Sequence, residues 1–236
     1  MANAFFNFKN FSVLQDKCAM KVGTDGVMLG AWINPKNATS ILDIGTGTGL
    51  LALMMAQKNS KAYIDAIDCE EGAYIQALEN VRQSKWKERI AIYHKSLQDY
   101  QSCNKKYDLI ISNPPFFENS LKSPQDERTL ARHNYSLSTN DLLYGACNLM
   151  DKGGRLCVIL PYLEAQLFIV DAALKGLYCI RKTEIRPSPE KKIHRIIMEF
   201  SFTRLQPEMF DFTIRNDKGV YSNEYVELTK DFYLDF

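Results

Sequence analysis

Ile41-Leu42-Asp43-Ile44-Gly45-Thr46-Gly47-Thr48-Gly49-Leu50 is the stretch on which the reading of this chain turns. A short apolar run ends in alternating glycines and passes directly into Leu50–Gln57, which has helical character. Glycines at such a junction let the backbone turn tightly and approach a ligand closely. Working outward, Ala62–Asp68 reads as a second strand and Glu71–Ser84 as a helix with Ala73, Ala77, Leu78 and Val81 as its apolar residues. Ile90–His94 is a third strand, and Tyr107–Ser112, built on Leu109-Ile110-Ile111, suits a strand buried on both faces. Thr139–Met150 follows as a helix with Ser138 or Thr139 as N-cap, then Gly154–Pro161 as a strand and Glu164–Lys175 as a helix. Strand and helix alternate, which predicts an α/β fold with a doubly wound, mostly parallel sheet. Beyond Gly176, Leu177–Arg186 and Ile193–Thr203 read as two strands joined by Pro187-Ser188-Pro189. They add an antiparallel hairpin at one edge and bring the expected sheet to seven strands. The tail from Pro207 is expected to hold a short strand (Phe212–Arg215) and a helix (Asn223–Asp231).

A length of 236 residues suits one compact domain, residues 1–236, with 205–236 as a C-terminal extension. No apolar run reaches the roughly 18–20 residues that span a bilayer. Met1–Phe11 lacks the continuous apolar stretch of a secretion signal, so a cytoplasmic protein is expected. The six cysteines form no Cys-x-x-Cys pair and the three histidines are dispersed, so no metal site is expected. A net charge of +1 does not by itself announce a nucleic-acid binder. The distribution says more: Arg181, Lys182, Arg186, Lys191, Lys192 and Arg195 stand against only Glu184 and Glu190, while Glu208–Asp235 is dominated by acids. Such asymmetry can make one basic face on a neutral protein, the other reading being a solvated surface.

Asp68 ends the second strand, where dinucleotide folds place the acid that holds ribose hydroxyls; capping the following helix is the alternative. A dinucleotide fingerprint wants glycines at relative positions one, three and six. Here Gly45, Gly47 and Gly49 fall at one, three and five, and Asp43 precedes them. This Asp-x-Gly-x-Gly-x-Gly pattern resembles motif I of the class I S-adenosylmethionine-dependent methyltransferases, whose sheet is Rossmann-like. The resemblance implies that Asp43, Gly45, Thr46, Gly47 and Gly49 hold the methionine end of the cofactor and that Asp68, with Cys69 beside it, holds the ribose. After the third strand that class often carries an acid for the adenine amine. Here the stretch reads Lys95-Ser96-Leu97-Gln98-Asp99, with Ser96 and Leu97 at the adenine position and Asp99 further on.

Asn113-Pro114-Pro115-Phe116 follows the fourth strand directly, at the end where open α/β sheets place their ligand crevice. Consecutive prolines fix their own backbone and bias Asn113 toward an extended conformation. An amide or aromatic NH2 is a poor nucleophile because its lone pair is delocalised. Accepting its two hydrogens at the Asn113 side-chain oxygen and the Pro114 carbonyl would favour a more localised lone pair. Phe116 would stack on an extruded base. No strong general base is needed, since positioning and electrostatics carry the rate.

Three further segments narrow the likeness: Lys21–Trp32 (Lys-Val-Gly-Thr-Asp-Gly-Val-Met-Leu-Gly-Ala-Trp), Asn113–Phe117 and Arg128–His133 (Arg-Thr-Leu-Ala-Arg-His). With the two motifs they resemble the bacterial tRNA1(Val) adenine-N6-methyltransferases, over about Phe8 to Phe202. The resemblance implies an enzyme that takes S-adenosylmethionine and methylates N6 of adenosine 37 in tRNA. Residues 1–35 would form a cofactor-covering segment in which Lys21, Gly23, Thr24 and Asp25 close over the methionine end. Asn113 would border both ligands, and Arg128, Arg132 and His133 would lie near the substrate, with Lys191, Lys192 and Arg195 as further RNA contacts. A ribosomal-RNA adenine-N6 or guanine-N2 methyltransferase is the alternative. A protein glutamine methyltransferase usually has Tyr in place of Phe116 and an added N-terminal domain; a non-catalytic RNA-binding subunit is disfavoured by the intact motifs.

Overall fold

The computed structural model describes residues 3–101, 104–115 and 137–236. A small antiparallel hairpin, β1 (Phe5–Asn7) and β2 (Ser12–Leu14), precedes helix α1 (Thr24–Trp32). Then come β3 (Ser40–Ile44), α2 (Leu50–Lys58), β4 (Tyr63–Asp68), α3 (Glu71–Gln83), β5 (Ile90–His94), α4 (Leu97–Tyr100) and β6 (Tyr107–Ser112). The chain continues through α5 (Thr139–Leu149), β7 (Met150–Pro161), α6 (Tyr162–Leu174), β8 (Tyr178–Arg186), β9 (Arg195–Ser201), β10 (Glu208–Thr213) and α7 (Asn223–Thr229).

Strands β3 to β10 form one sheet in the order β10-β8-β9-β7-β6-β3-β4-β5. Every pairing is parallel except those of β9, which runs antiparallel to both β7 and β8. The expected architecture is present, but the sheet has eight strands rather than seven. The extra edge strand β10 starts four residues before the short strand read at Phe212. Its first four side chains are exposed. It therefore lacks the apolar alternation by which a half-buried strand is recognised.

Side chains alternate between the two faces of a strand, and each face here has its own core. Ile41, Leu109, Ile111, Cys157, Ile159 and Ile197 pack on one side with α1, α2 and Tyr225 of α7. Leu42, Ile110, Leu156, Val158, Ile196 and Met198 pack on the other with α4, α5 and α6. The sheet is covered on both faces, as parallel strands require.

The N-terminal segment is tied down by two buried amides on the inner face of α3. Asn80 accepts from the Leu14 amide at 2.8 Å and donates to the carbonyls of Leu14 (2.9 Å) and Thr48 (2.8 Å). Gln76 accepts from the Lys17 amide at 2.8 Å. Gln15 in turn accepts from the Val22 amide at 2.9 Å, so the strap leading to α1 is fastened along its length. The segment also meets the C-terminus: the Lys9 amide donates to the Phe232 carbonyl, and Phe8 stacks on Tyr233. Asn80→Ala leaves buried backbone groups of Leu14 and Thr48 without partners, each costing about 1–3 kcal/mol. Urea unfolding should show a lower midpoint with an unchanged slope, and an unaltered midpoint would mean that the strap is held by its other contacts.

Candidate active site

The carboxyl ends of β3, β4 and β6 converge on the glycine loop. Gly45, Gly47 and Gly49 have φ values of 70°, 57° and 82°, a left-handed backbone that a side chain disfavours. The loop is held from the neighbouring strand: the Gly45 and Thr46 amides both donate to the Ile67 carbonyl at 3.0 Å. The Gly47 amide donates to Asp68 Oδ2 at 2.9 Å, and the Glu70 amide donates to Asp68 Oδ1 at 3.0 Å. Asp68 thus supports both the loop and the entry to α3. A carboxylate has about four acceptor positions, so these two bonds and one from the Cys69 amide do not exhaust it. Burial pushes its pKa up, while the Glu70 and Gly47 amides pull it down. A Cβ on Gly45 would meet nothing within 4 Å, so the loop fronts open space.

Asp43 is fully buried beneath the loop. Thr46 Oγ1 donates to its Oδ2 at 2.6 Å, whereas Oδ1 has no partner among the described residues. Burial pushes the Asp43 carboxyl up to about 7. Such a group prefers a donor or a positive charge to stabilise its ionised form.

At the end of β6, Ser112 Oγ donates to the Ile44 carbonyl at 2.9 Å, locking that strand end to β3. Asn113 follows, half-buried, and its Oδ1 is a buried acceptor with no partner among the described residues. Pro114 is buried and Pro115 exposed. Gly26 of α1 abuts the Asn113 side chain: a Cβ there would lie 3.7 Å from Asn113 Nδ2 and 3.1 Å from Leu50. Lys21, Gly23 and Thr24 are exposed on the approach to α1. Asp43 and Asn113 therefore supply two orphan buried acceptors at the ends of β3 and β6. Native structures satisfy nearly all such groups, so these two fit a ligand that donates to them.

The segment after β5, expected to meet the cofactor's adenine, opens with a helix cap. Ser96 caps α4, accepting from the Asp99 amide at 3.1 Å and donating to Asp99 Oδ2 at 2.6 Å. Asp99, one helical turn on, is thus drawn back to the serine and brings a carboxylate to that position. The Leu97 side chain is buried in the core against Gly145. Only its backbone is suited to face a ligand. Beyond Asp68, His94 Nε2 lies 3.0 Å from the Cys69 carbonyl and its ring stacks on Tyr74. Burial pushes the Cys69 thiol up.

The basic hairpin is mostly neutralised within the protein. Arg181 pairs with Glu199 at 2.7 Å and lies 3.6 Å over the Trp32 ring. Lys182 pairs with Glu184 at 3.0 Å, and Arg186 with Asp211 at 3.2 Å. Arg195, expected to face RNA, instead donates from Nε to Asp25 Oδ2 at 2.8 Å. That bond joins β9 to the start of α1 and engages Asp25, expected to close over a ligand. Lys191 and Lys192 are exposed. Phe116, Phe117, Arg128, Arg132 and His133 lie outside the described residues, as does Cys103. Gln76 and Asn80 brace the N-terminal strap from α3, and their only signal in the sequence is two amides four residues apart among Ala73, Ala77 and Val81.

The methyltransferase small domain family matches residues 21–163. A tRNA1(Val) (adenine(37)-N6)-methyltransferase of Trichodesmium erythraeum is 47% identical, over 98% of each chain. One of Parabacteroides distasonis is 44% identical, over 99% of each chain. Among solved structures, a predicted O-methyltransferase from Agrobacterium tumefaciens superposes with a TM-score of 0.70 at 16% identity, covering 88% of this chain and 96% of its own; this likeness is one of fold. With its glycine loop, its Asn-Pro-Pro slot and relatives matched from end to end, this S-adenosylmethionine-dependent methyltransferase belongs to the tRNA1(Val) (adenine(37)-N6)-methyltransferase family.

Proposed function

We propose that the chain methylates N6 of an adenine in tRNA, at adenosine 37 of tRNA1(Val), in the cytoplasm. It would work as one domain in which residues 1–35 cover the cofactor. The observation that carries the reading is the buried acceptor Asn113 Oδ1, without a partner among the described residues, at the carboxyl end of β6, two strand ends from the Asp68 carboxylate. The named relatives support the choice of tRNA as substrate.

S-adenosylmethionine, when bound, supplies an electrophilic methyl group on a sulfonium. The glycine-loop amides and Asp43 suit its methionine end, Asp68 suits the ribose, and Ser96, Asp99 and the Leu97 backbone suit the adenine. Asn113 Oδ1 and the Pro114 carbonyl accept the two hydrogens of the adenine amine and orient its lone pair out of conjugation. Phe116, next but one to Pro114 in the chain, has the flat apolar ring that holds a base in such a slot. The proton leaves the nitrogen after methyl transfer, so no strongly basic side chain is needed. Arg128, Arg132 and His133 are candidates for substrate contacts, and Lys191 and Lys192 for the phosphates. Arg195 is better suited to positioning α1.

Labelled cofactor and total tRNA, followed by digestion to nucleosides, should yield N6-methyladenosine; label in any other nucleoside refutes the assignment. Asn113→Ala should lower turnover by about 100-fold or more, the scale of one transition-state hydrogen bond, with cofactor affinity nearly intact. Normal turnover would remove Asn113 from the mechanism.

Asp43 makes cofactor binding pH-dependent. A cationic ligand favours the ionised carboxyl and so expels the proton held near pH 7. Affinity should therefore rise as pH climbs from about 6 to about 8 and then level off, by about tenfold per pKa unit displaced. Calorimetry in two buffers of different ionisation enthalpy reads the released proton. Asp43→Asn cannot ionise and should bind more weakly without that release; unchanged proton release in the variant would assign it to another group.

Lys191→Ala combined with Lys192→Ala should weaken tRNA binding and flatten its salt dependence by a slope of about 1–2, since phosphate contacts release counterions. An unchanged slope makes the hairpin tip a solvated surface.

A further inference from the structure

A cavity of about 330 Å³ lies between the hairpin and the C-terminal extension, and the reaction described above makes no use of it. Its walls include Thr24, Asp25, His194, Arg195, Arg215 and Tyr221. We propose that this cavity is a subsite for the base of a ribonucleotide flanking the target adenosine. The inference rests on the reading of the chain as an RNA methyltransferase.

Its place in the fold supports this. Pro161, Arg195, Ile185 and Phe212 form one row across β7, β9, β8 and β10. Ser112 pairs with Val158, three residues before Pro161 on the same strand. The cavity therefore opens at the same sheet edge as the Asn113 slot, just beyond it. The two are neighbours through α1: Thr24 and Asp25 line the cavity, and Gly26, the next residue, abuts Asn113. A nucleotide chain leaving the slot along this edge meets the cavity next.

Its chemistry selects a base. The Arg215 guanidinium lies 4.4 Å over the Tyr221 ring, and Tyr221 stacks on Tyr225 at 5.0 Å and 18°. Arg215 and Tyr221 are exposed, whereas Tyr225 is buried and anchors the platform. Unpaired bases are taken up by stacking on aromatic rings and guanidinium planes. A phosphate fits less well, because the Asp25 carboxylate already pairs with Arg195 in the wall. That carboxylate and the ring nitrogens of His194 can instead meet the polar edge of a base. The volume is within the range of small-molecule sites, about 300–1,000 Å³.

The test uses the full-length chain and an anticodon stem-loop RNA, with a set of RNAs carrying an abasic ribose at each position flanking the target. Tyr221→Ala and Arg215→Lys should each raise KM for RNA by about 5- to 100-fold, the worth of one stacked base. The kcat at saturating RNA and the affinity for S-adenosylmethionine should stay within about twofold, as expected for uniform binding. Tyr221→Phe, which keeps the ring, should behave as the parent. One abasic position should weaken binding to the parent but add nothing to the loss in Tyr221→Ala. Full rescue by Arg215→Lys would overturn the proposal, because charge without a plane would then suffice. Fully additive losses at every abasic position would overturn it too. If Tyr221→Ala melts early, Arg215→Lys and the abasic set decide alone. A parent that methylates no RNA overturns the function and the subsite together; a parent that does so, with variants of unchanged KM, overturns only the subsite.

Discussion

Asp68 accepting the Gly47 amide across the carboxyl ends of two parallel strands is the bond on which the site depends. It holds the glycine loop in a left-handed backbone, reinforced by two amides on the Ile67 carbonyl. Beneath that loop Asp43 is fully buried, and its Oδ1 has no hydrogen-bond partner among the described residues. Leaving such a group unpaired costs stability, and its pKa near 7 shows the same cost in another form. A donor or positive charge brought against Oδ1 would offset that cost.

The second constraint is the parallel sheet itself. Parallel strands place all their carboxyl ends at one edge, and the loops from that edge form the ligand crevice. The Ser112 hydroxyl joins β6 to β3 at that edge, which sets the height of Asn113 relative to the glycine loop. The third wall comes from outside the sheet. Residues 12–22 are strapped down by Gln15, Gln76 and Asn80, so α1 presents Gly26, with no side chain, to the Asn113 amide.

Charge in the hairpin is used chiefly to assemble the protein. Glu199, nearly buried, collects both Arg155 and Arg181, and the Arg181 guanidinium covers Trp32 of α1. The Arg195–Asp25 bond then fastens the hairpin to the first turn of α1. Half-buried pairs of this kind hold orientation as much as they add stability. They couple the C-terminal strands to the helix that borders the slot, and so explain how the C-terminal extension can shape a second cavity beside it.

The sequence by itself determined the strand, glycine loop, helix and carboxylate from Ile41 to Asp68, the doubly buried β6 and the Asn-Pro-Pro segment after it. These are legible because their causes are local: apolar periodicity, the conformational freedom of glycine and the fixed angles of proline act within a few residues. Tertiary structure alone decided that Arg195 meets Asp25, 170 residues away, rather than solvent. It also decided that Asp99 is drawn back to Ser96, that β10 lengthens the sheet and that Tyr221 and Arg215 stack beside the slot. A charged or exposed side chain carries no periodic signal of its partner. Its role is settled only when distant segments are brought together by the burial of other residues.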